Sequence, residues 1–177
     1  MKTLTKIFAA IVFLVGCSFT VVAQNAGASA NATASVTIIN PIAISQTSDL
    51  NFGVLSVQTS VDGKCILATD GVRTALGGVN LPSSGATAKN ASFAVTGEAN
   101  TTYAIILPST VILNNGTHRM EINAMSARFN GKTTDAVTST LNASGSDSFN
   151  VGGTLSVFAA QNVGTYEGTF PVTVAYN

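Results

Sequence analysis

The C-terminal segment of the chain, residues 164–177, alternates two kinds of side chain with a period of two. One phase carries mostly large apolar residues: Tyr166, Gly168, Phe170, Val172, Val174 and Tyr176. This pattern predicts a β-strand with one buried face. Pro171 has no N–H to donate, so the strand is expected at the edge of a sheet. Such an edge is an aggregation hazard unless a partner covers it.

The rest of the chain consists of short strand-like runs between glycine-containing turn signals such as Asp70-Gly71, Asn115-Gly116 and Asn130-Gly131. A strand with a glycine-marked bulge is predicted over 49–55, and further runs are Cys65–Thr69, Ala91–Thr96, Tyr103–Leu107, Val111–Leu113, Arg119–Phe129 and Val151–Phe158. No helical periodicity appears. Many short strands with regularly spaced turns predict an all-β sandwich or barrel, in one domain.

The first 23 residues have the pattern of an export signal. Lys2 and Lys6 precede an apolar stretch that is too short to span a membrane. Small residues end at Ala23, which predicts cleavage before Gln24. A competing interpretation is that residues 14–17 form a bacterial lipobox, which would make Cys17 a lipidated N-terminus and anchor the protein to a lipid surface. Both routes export the chain from the cytoplasm.

Charge is scarce in this sequence. Charged residues make up 9% of the chain, and cleavage after Ala23 leaves six basic and eight acidic residues, a net charge of −2. Typical domains carry about 25% charged residues. No basic stripe is present, so the sequence argues against nucleic acid as a partner. Ser, Thr, Asn and Gly are expected to form the surface.

Few side chains suit catalysis or metal binding. After cleavage the only cysteine is Cys65, within an apolar run, and it is expected to be a buried and unreactive hydrophobic residue. The only histidine, His118, falls in a predicted hairpin loop, and no Gly-x-Ser-x-Gly nucleophile motif occurs. No spacing matches a zinc or calcium site. We therefore predict no catalytic residues, no cofactor and no metal.

A second alternating run lies at the start of the exported chain. Small and apolar residues share one phase: Ala26, Ala28, Ala30, Ala32, Ala34, Val36 and Ile38. At about 3.3 Å per residue this run is longer than a typical strand of about 17–20 Å. The expected organisation is a signal over 1–23, an extended tail over 24–34, and a sandwich domain over 35–177. In this interpretation Val36, Ile38 and Ile39 belong to the domain's first strand.

Two resemblances rest on these residues. The C-terminal strand resembles that of chaperone–usher pilus subunits, because Tyr176 is the penultimate residue and Gly164 is the fourteenth from the end. That resemblance implies a periplasmic chaperone and an usher as partners, and strand exchange with like subunits. Residues 41–44, 50–53 and 164–177 resemble a bacterial secreted domain family of unknown function. This second resemblance implies an immunoglobulin-like antiparallel sandwich and supplies no activity.

The sequence thus favours a non-enzymatic subunit of a pilus-like surface fibre that assembles by β-strand addition. The acceptor groove would be formed by Gly164, Tyr166, Phe170, Val172, Val174 and Tyr176, and the donor strand by the alanines between Ala26 and Ala34. Alanines bury little apolar area, so the alternative donor is the segment 36–39. The alternative function is a self-contained secreted sandwich that adheres to or binds a ligand; a sugar site would normally expose aromatic rings, and the chain has no Trp.

Overall fold

The structure is a computed structural model that describes residues 27–177. The predictions on Ala23, Gln24, Cys17 and Ala26 lie outside the described residues. By compactness the chain divides at Thr37, and residues 38–177 form the folded domain. All regular structure in the described residues is β-strand.

The segment 27–37 contains no strand, and each of its residues is exposed. The prediction that Val36, Ile38 and Ile39 form the domain's first strand is therefore wrong. Val36 is 85% exposed and Ile38 is 90% exposed, and the first strand begins only at Ala43. Alternation alone does not make a strand, because the backbone N–H and C=O groups of a strand also need a partner strand to pair with.

The domain contains twelve strands, each antiparallel to its neighbours. Their bounds are β1 Ala43–Ser48, β2 Ser56–Val57, β3 Gly63–Leu67, β4 Arg73–Gly77, β5 Val79–Asn80, β6 Ala91–Thr96, β7 Thr102–Ile106, β8 Thr110–Asn115, β9 His118–Phe129, β10 Thr138–Thr140, β11 Ser146–Val157 and β12 Thr173–Tyr176.

The long strand β11 organises the larger, seven-stranded sheet. On one side its first half pairs with β6 and its second half with β3, while β9 pairs along the other side. The sheet continues from β6 to β1, from β3 to β4, and from β9 to β8. Strand β1 therefore lies at an edge of this sheet.

A β-bulge in β9 keeps both halves of that strand facing the core. Ala124 and Met125 lie opposite the single residue Gly153, and Ala124 has a positive φ of 49°. The extra residue shifts the alternation by one position. As a result, buried side chains occur on both sides of the bulge, at Met120, Ile122, Ala127 and Phe129.

A smaller sheet has the order β10-β7-β12. Its central strand contributes Tyr103 and Ile105 to the first core cluster, whose other buried members are Ala91, Phe93, Val95, Ala127, Phe129, Leu141, Phe149 and Val151. A second core cluster centres on Cys65, Leu67, Ile122 and Leu155. The all-β antiparallel sandwich predicted from the sequence is confirmed, and so is the burial of Cys65. Burial also raises the pKa of the Cys65 thiol, against an opposing effect of the Arg73 charge.

Two predicted strands differ in the structure: the C-terminal strand is shorter, and the strand predicted over 49–55 is wrong, because that segment forms no strand. The C-terminal strand covers only Thr173–Tyr176, since residues 168–172 pair with no other strand. The segment 49–55 makes one isolated bridge, from Asn51 to Lys89, and then turns at Gly53, where φ is +73°. The Arg73 guanidinium donates to the carbonyl oxygen of Phe52 at 2.7 Å and thereby holds this turn in place.

Candidate strand-acceptor edge

Two of the domain's open strand edges lie close together beside the first core cluster. Within residues 27–177, β12 pairs only with β7, and β1 pairs only with β6. Cα atoms of β1 and β12 approach within 8 Å of each other. The two edges therefore border the same side of the sandwich.

Half-buried apolar side chains line this side. They alternate along the chain with exposed residues, and all pack against the first core cluster; they are Ile42, Ile44, Phe170, Val172, Val174 and Tyr176. We call these six residues, with β1 and β12, the apolar edge. Val174 lies directly across from the buried Ile105 of β7. The apolar edge is thus a continuation of the core that its own sheets leave partly uncovered.

The backbone of β12 offers hydrogen-bonding groups on its free side. The Asn177 N–H donates to the Thr102 carbonyl of β7 at 3.2 Å. Hydrogen-bonding directions alternate along a strand, so the N–H groups of Tyr176 and Val174 point away from β7. They can pair with an incoming strand, while the side chains of the same residues face the core.

The penultimate tyrosine anchors the start of the domain. The Tyr176 hydroxyl donates to the carbonyl oxygen of Asn40 at 2.8 Å and accepts from the Glu98 N–H at 2.6 Å. The Asn40 backbone and side-chain nitrogens each donate to Glu98 Oε2 at 2.9 Å. A Cβ at Gly97 would collide with the Tyr176 hydroxyl, so glycine makes room for this contact. We call this arrangement the Asn40 clamp.

The structure separates two of the predicted groove residues from the others. Tyr166 packs against the second core cluster, and its hydroxyl donates to the Asn162 carbonyl and accepts from Gln161. Gly164 lies against the Asn115 side chain with a φ of +142°. Phe170 contacts both clusters. Only Phe170, Val172, Val174 and Tyr176 therefore share the apolar edge.

The described donor alanines, Ala28, Ala30, Ala32 and Ala34, are exposed and pair with no strand. Their role as donors stays a prediction. Sequence reasoning missed Ile42 and Ile44 of the apolar edge, and it missed Asn40 and Glu98 of the Asn40 clamp. The alternation in Pro41-Ile42-Ala43-Ile44 was a signal for the first two. No local signal could place Glu98 beside Asn40, because 58 residues separate them.

A second open region lies between β10 and the first half of β11. This cavity has a volume of about 750 Å³, and all but two of its lining residues carry a hydroxyl, amide or charged group; the lining residues are Thr102, Phe129, Asn130, Lys132, Thr134, Ala136, Thr138, Ser139, Thr140, Asn142, Ser146, Asp147, Ser148 and Asn177. We call it the polar cleft. It opens where β9 ends at Phe129: the Asn130 N–H still donates to the Ser148 carbonyl at 2.8 Å, and β9 pairs with no earlier residue of β11.

Hydrogen bonds span the polar cleft. The carboxylate of Asp147 accepts from the hydroxyls of Tyr103 at 3.0 Å and Ser139 at 2.6 Å, and from the Ser148 N–H at 2.7 Å. Burial raises the pKa of the Tyr103 hydroxyl, and the nearby Asp147 charge raises it further. Asp147 thereby ties β7, β10 and β11 together.

A charged group next to the cleft fixes the exposed connection from β9 to β10. Asp135 accepts from the buried Thr69 hydroxyl at 2.6 Å and pairs with Arg128 at 3.0 Å. Burial alone would raise the pKa of Asp135, but hydrogen bonds from Thr69, Ser126 and Arg128, together with the Arg128 charge, lower it on balance. The connection therefore has a defined position although its side chains face solvent.

The described residues show no group of three or more His, Cys, Asp or Glu side chains placed to hold a metal ion. His118 is exposed at the first position of β9. Residues 27–177 contain no helix long and apolar enough to cross a membrane.

The fold and the apolar edge define an antiparallel β-sandwich with two unpaired strand edges beside its core. A family model described as "Domain of unknown function (DUF4402)" matches residues 42–176, so the chain belongs to that family. The match begins two residues after the clamped Asn40 and ends at Tyr176. No curated protein and no solved structure matches the chain.

Proposed function

We propose that this protein is a structural subunit of a pilus-like surface fibre, without enzymatic activity, and that it assembles by β-strand addition. The observation that carries the proposal is the apolar edge: two unpaired strand edges border one row of half-buried apolar side chains. An extended segment with alternating apolar residues would pair with the free N–H and C=O groups and cover that row.

The occupant we propose is the N-terminal segment of a second copy of this chain. That segment has the alternation an added strand needs, since its small and apolar residues share one phase. It is exposed over residues 27–37 and forms no strand there. The same chain therefore carries both an acceptor and a segment of matching pattern, which is what a heterologous, head-to-tail fibre contact requires.

Strand addition between β1 and β12 needs room. A strand paired on both sides requires its two neighbours to be about 9.6 Å apart, twice the spacing of adjacent strands. Cα atoms of β1 and β12 approach within 8 Å. Assembly would therefore move these two edges apart locally. The energy for this movement would come from the new backbone hydrogen bonds and from covering the apolar row.

A secretion route follows from this proposal. An apolar edge that stays uncovered during export would favour aggregation, so a periplasmic chaperone that covers it and an usher that exchanges it are the expected partners. The mature protein would then lie in a fibre at the cell surface, or on a lipid anchor if Cys17 is modified. These partners rest on the resemblance of the C-terminal strand to pilus subunits.

The polar cleft supports a second candidate function. Its volume of about 750 Å³ falls within the range typical of ligand sites, and its hydroxyl and amide lining suits a hydroxyl-rich ligand such as a sugar. In this alternative the domain is complete in itself and adheres to a glycan. The cleft would then bind ligand in a monomer, and the N-terminal segment would be dispensable.

Size analysis of the purified chain from Gln24 onward tests the proposal. We expect a ladder of oligomers, and we expect deletion of residues 24–38 to leave a folded domain that forms no ladder and is monomeric at low concentration, because Asn40 and every strand of the domain remain. Ladders that persist after the deletion would show that the segment is not the donor. A wild-type chain that stays monomeric at high concentration would support the self-contained alternative.

A further inference from the structure

The N-terminal segment is longer than the edge it would cover. The acceptor row on the C-terminal side extends from Phe170 to Tyr176, which is seven residues or about 23 Å of extended chain. Residues 27–38 supply twelve. Only part of the segment can therefore occupy the edge, and its alternation allows several registers that differ by two residues and present different side chains.

On the basis of the proposed function, we infer that residues 32–38 of a second copy are the part that binds. In this register the face toward the core consists of Ala32, Ala34, Val36 and Ile38. The alternative register uses residues 28–34 and presents four alanines. Both have the same length and the same phase, so the difference between them lies in the side chains at two positions.

Exposure of Val36 and Ile38 favours the first register. These residues are 85% and 90% exposed within the chain itself, so nearly all their apolar area remains to be buried on assembly. Valine carries two more carbons than alanine, and isoleucine carries three more. Each methylene that becomes buried tightens binding by about fourfold. The five additional carbons of Val36 and Ile38, if they are only partly buried, would therefore raise the affinity of the donor segment by roughly 100-fold or more. No other register of seven residues offers two large apolar side chains without including the clamped Asn40.

The inferred register also fixes the distance between subunits. Between the last donor residue, Ile38, and the clamped Asn40 there is a single residue, Ile39. The clamp holds Asn40 through Tyr176 and Glu98. Consecutive domains would therefore abut, with no flexible linker between them, and the half-exposed Ile39 would lie at their junction. A donor at 28–34 would leave five residues, 35–39, between domains.

The experiment compares two double variants in the chain from Gln24 onward, which contains every described residue. Val36→Ala with Ile38→Ala removes the large side chains of the inferred register. Ala28→Asp with Ala30→Asp is the matched control, because it places charge in the face of the other register only. The measurement is the protein concentration at which half of the chain is oligomeric. All four positions are exposed, so the thermal unfolding midpoint of the monomer, measured below the assembly concentration of each protein, should stay unchanged.

We expect the first variant to need at least a roughly 100-fold higher concentration, and the control to differ from wild type by less than about threefold. If the control variant does not assemble while the Val36→Ala, Ile38→Ala variant assembles normally, the inferred register is wrong, but assembly by strand addition is still supported. Loss of assembly in both would show that the donor extends over both halves of the segment, against the inference. If both assemble like wild type, the segment is not the donor, and the proposed function fails as well.

Discussion

The apolar edge and the polar cleft are the two places where this sandwich is open, and they differ in how their own groups are satisfied. In the cleft, the Asp147 carboxylate is hydrogen-bonded by Tyr103, Ser139 and the Ser148 N–H, and water can solvate the remaining hydroxyl and amide groups. At the apolar edge, the side chains are hydrocarbon that water solvates poorly, beside backbone groups of β12 that pair with no other strand.

This difference indicates which of the two open regions is expected to bind a partner. A polar cleft is stable in water whether or not a ligand occupies it, so its presence alone does not imply one. Covering an apolar strand edge lowers its free energy, because burial of apolar area and pairing of backbone groups are both favourable. The case for assembly therefore rests on the apolar edge, and the predictions below contrast the two regions.

The largest effect is expected from Val174→Asp. This change places a carboxylate against the first core cluster, next to Ile105, and should cost several kcal/mol against a total domain stability of about 5–15 kcal/mol. We expect little soluble protein. Ala175→Asp, on the exposed phase of the same strand, and Thr138→Asp in the polar cleft should each change the free energy of unfolding by less than about 1 kcal/mol. Soluble yield and urea unfolding measure all three.

A smaller effect is expected from Tyr103→Phe. The variant keeps the ring in the core but removes the hydrogen bond to Asp147, which should cost about 1–2 kcal/mol in the free energy of unfolding. Tyr166→Phe is the matched control; it removes a hydroxyl that bonds at a more exposed position and should cost less than about 1 kcal/mol. Equal costs at the two positions would show that Asp147 does not tie the cleft together.

The smallest effect concerns pH and Asp135. Because hydrogen bonds and the Arg128 charge outweigh burial and lower its pKa in the folded domain, ionised Asp135 contributes stability above its ordinary pKa of 3.8. That contribution is lost as the pH falls through the lower, folded value. Asp135→Asn should therefore be less stable than wild type at neutral pH, and the difference should shrink below about pH 4. Unfolding midpoints measured from pH 7 down to pH 2 check this, and a difference that grows in acid would contradict the assigned cause.

Local patterns in the sequence predicted most of the strands. The run Ala91–Thr96 coincides with β6, the run at 119–129 begins one residue after β9 does, and the run at 103–107 is displaced from β7 by one residue. These strands have one buried face, so their period of two is visible in the residues. Strand β10 has three residues without apolar alternation and was not predicted. The bulge at Ala124 was also missed, because an alanine with positive φ has no sequence signature.

The candidate site was predictable only in part, since it depends on contacts between distant residues. The C-terminal phase correctly indicated Phe170, Val172, Val174 and Tyr176 as the half-buried side of the segment. The contribution of β1 and the clamp between Asn40 and Glu98 depend on which strands become neighbours, and no local pattern encodes that. The mistaken first strand at Val36–Ile39 has the same origin, because the alternation there is regular but no strand of the domain pairs with it.

Deuterium exchange at the backbone amides of Val174 and Tyr176 tests the central claim most directly. In wild-type protein that has assembled, an added strand should accept hydrogen bonds from these two amides and slow their exchange by orders of magnitude. In the Val36→Ala, Ile38→Ala variant, held below its assembly concentration, the same amides should exchange rapidly. Rapid exchange in both proteins would show that nothing covers the apolar edge. Slow exchange in both would show that the chain covers its own edge and is complete as a monomer, and either result would contradict assembly by strand addition.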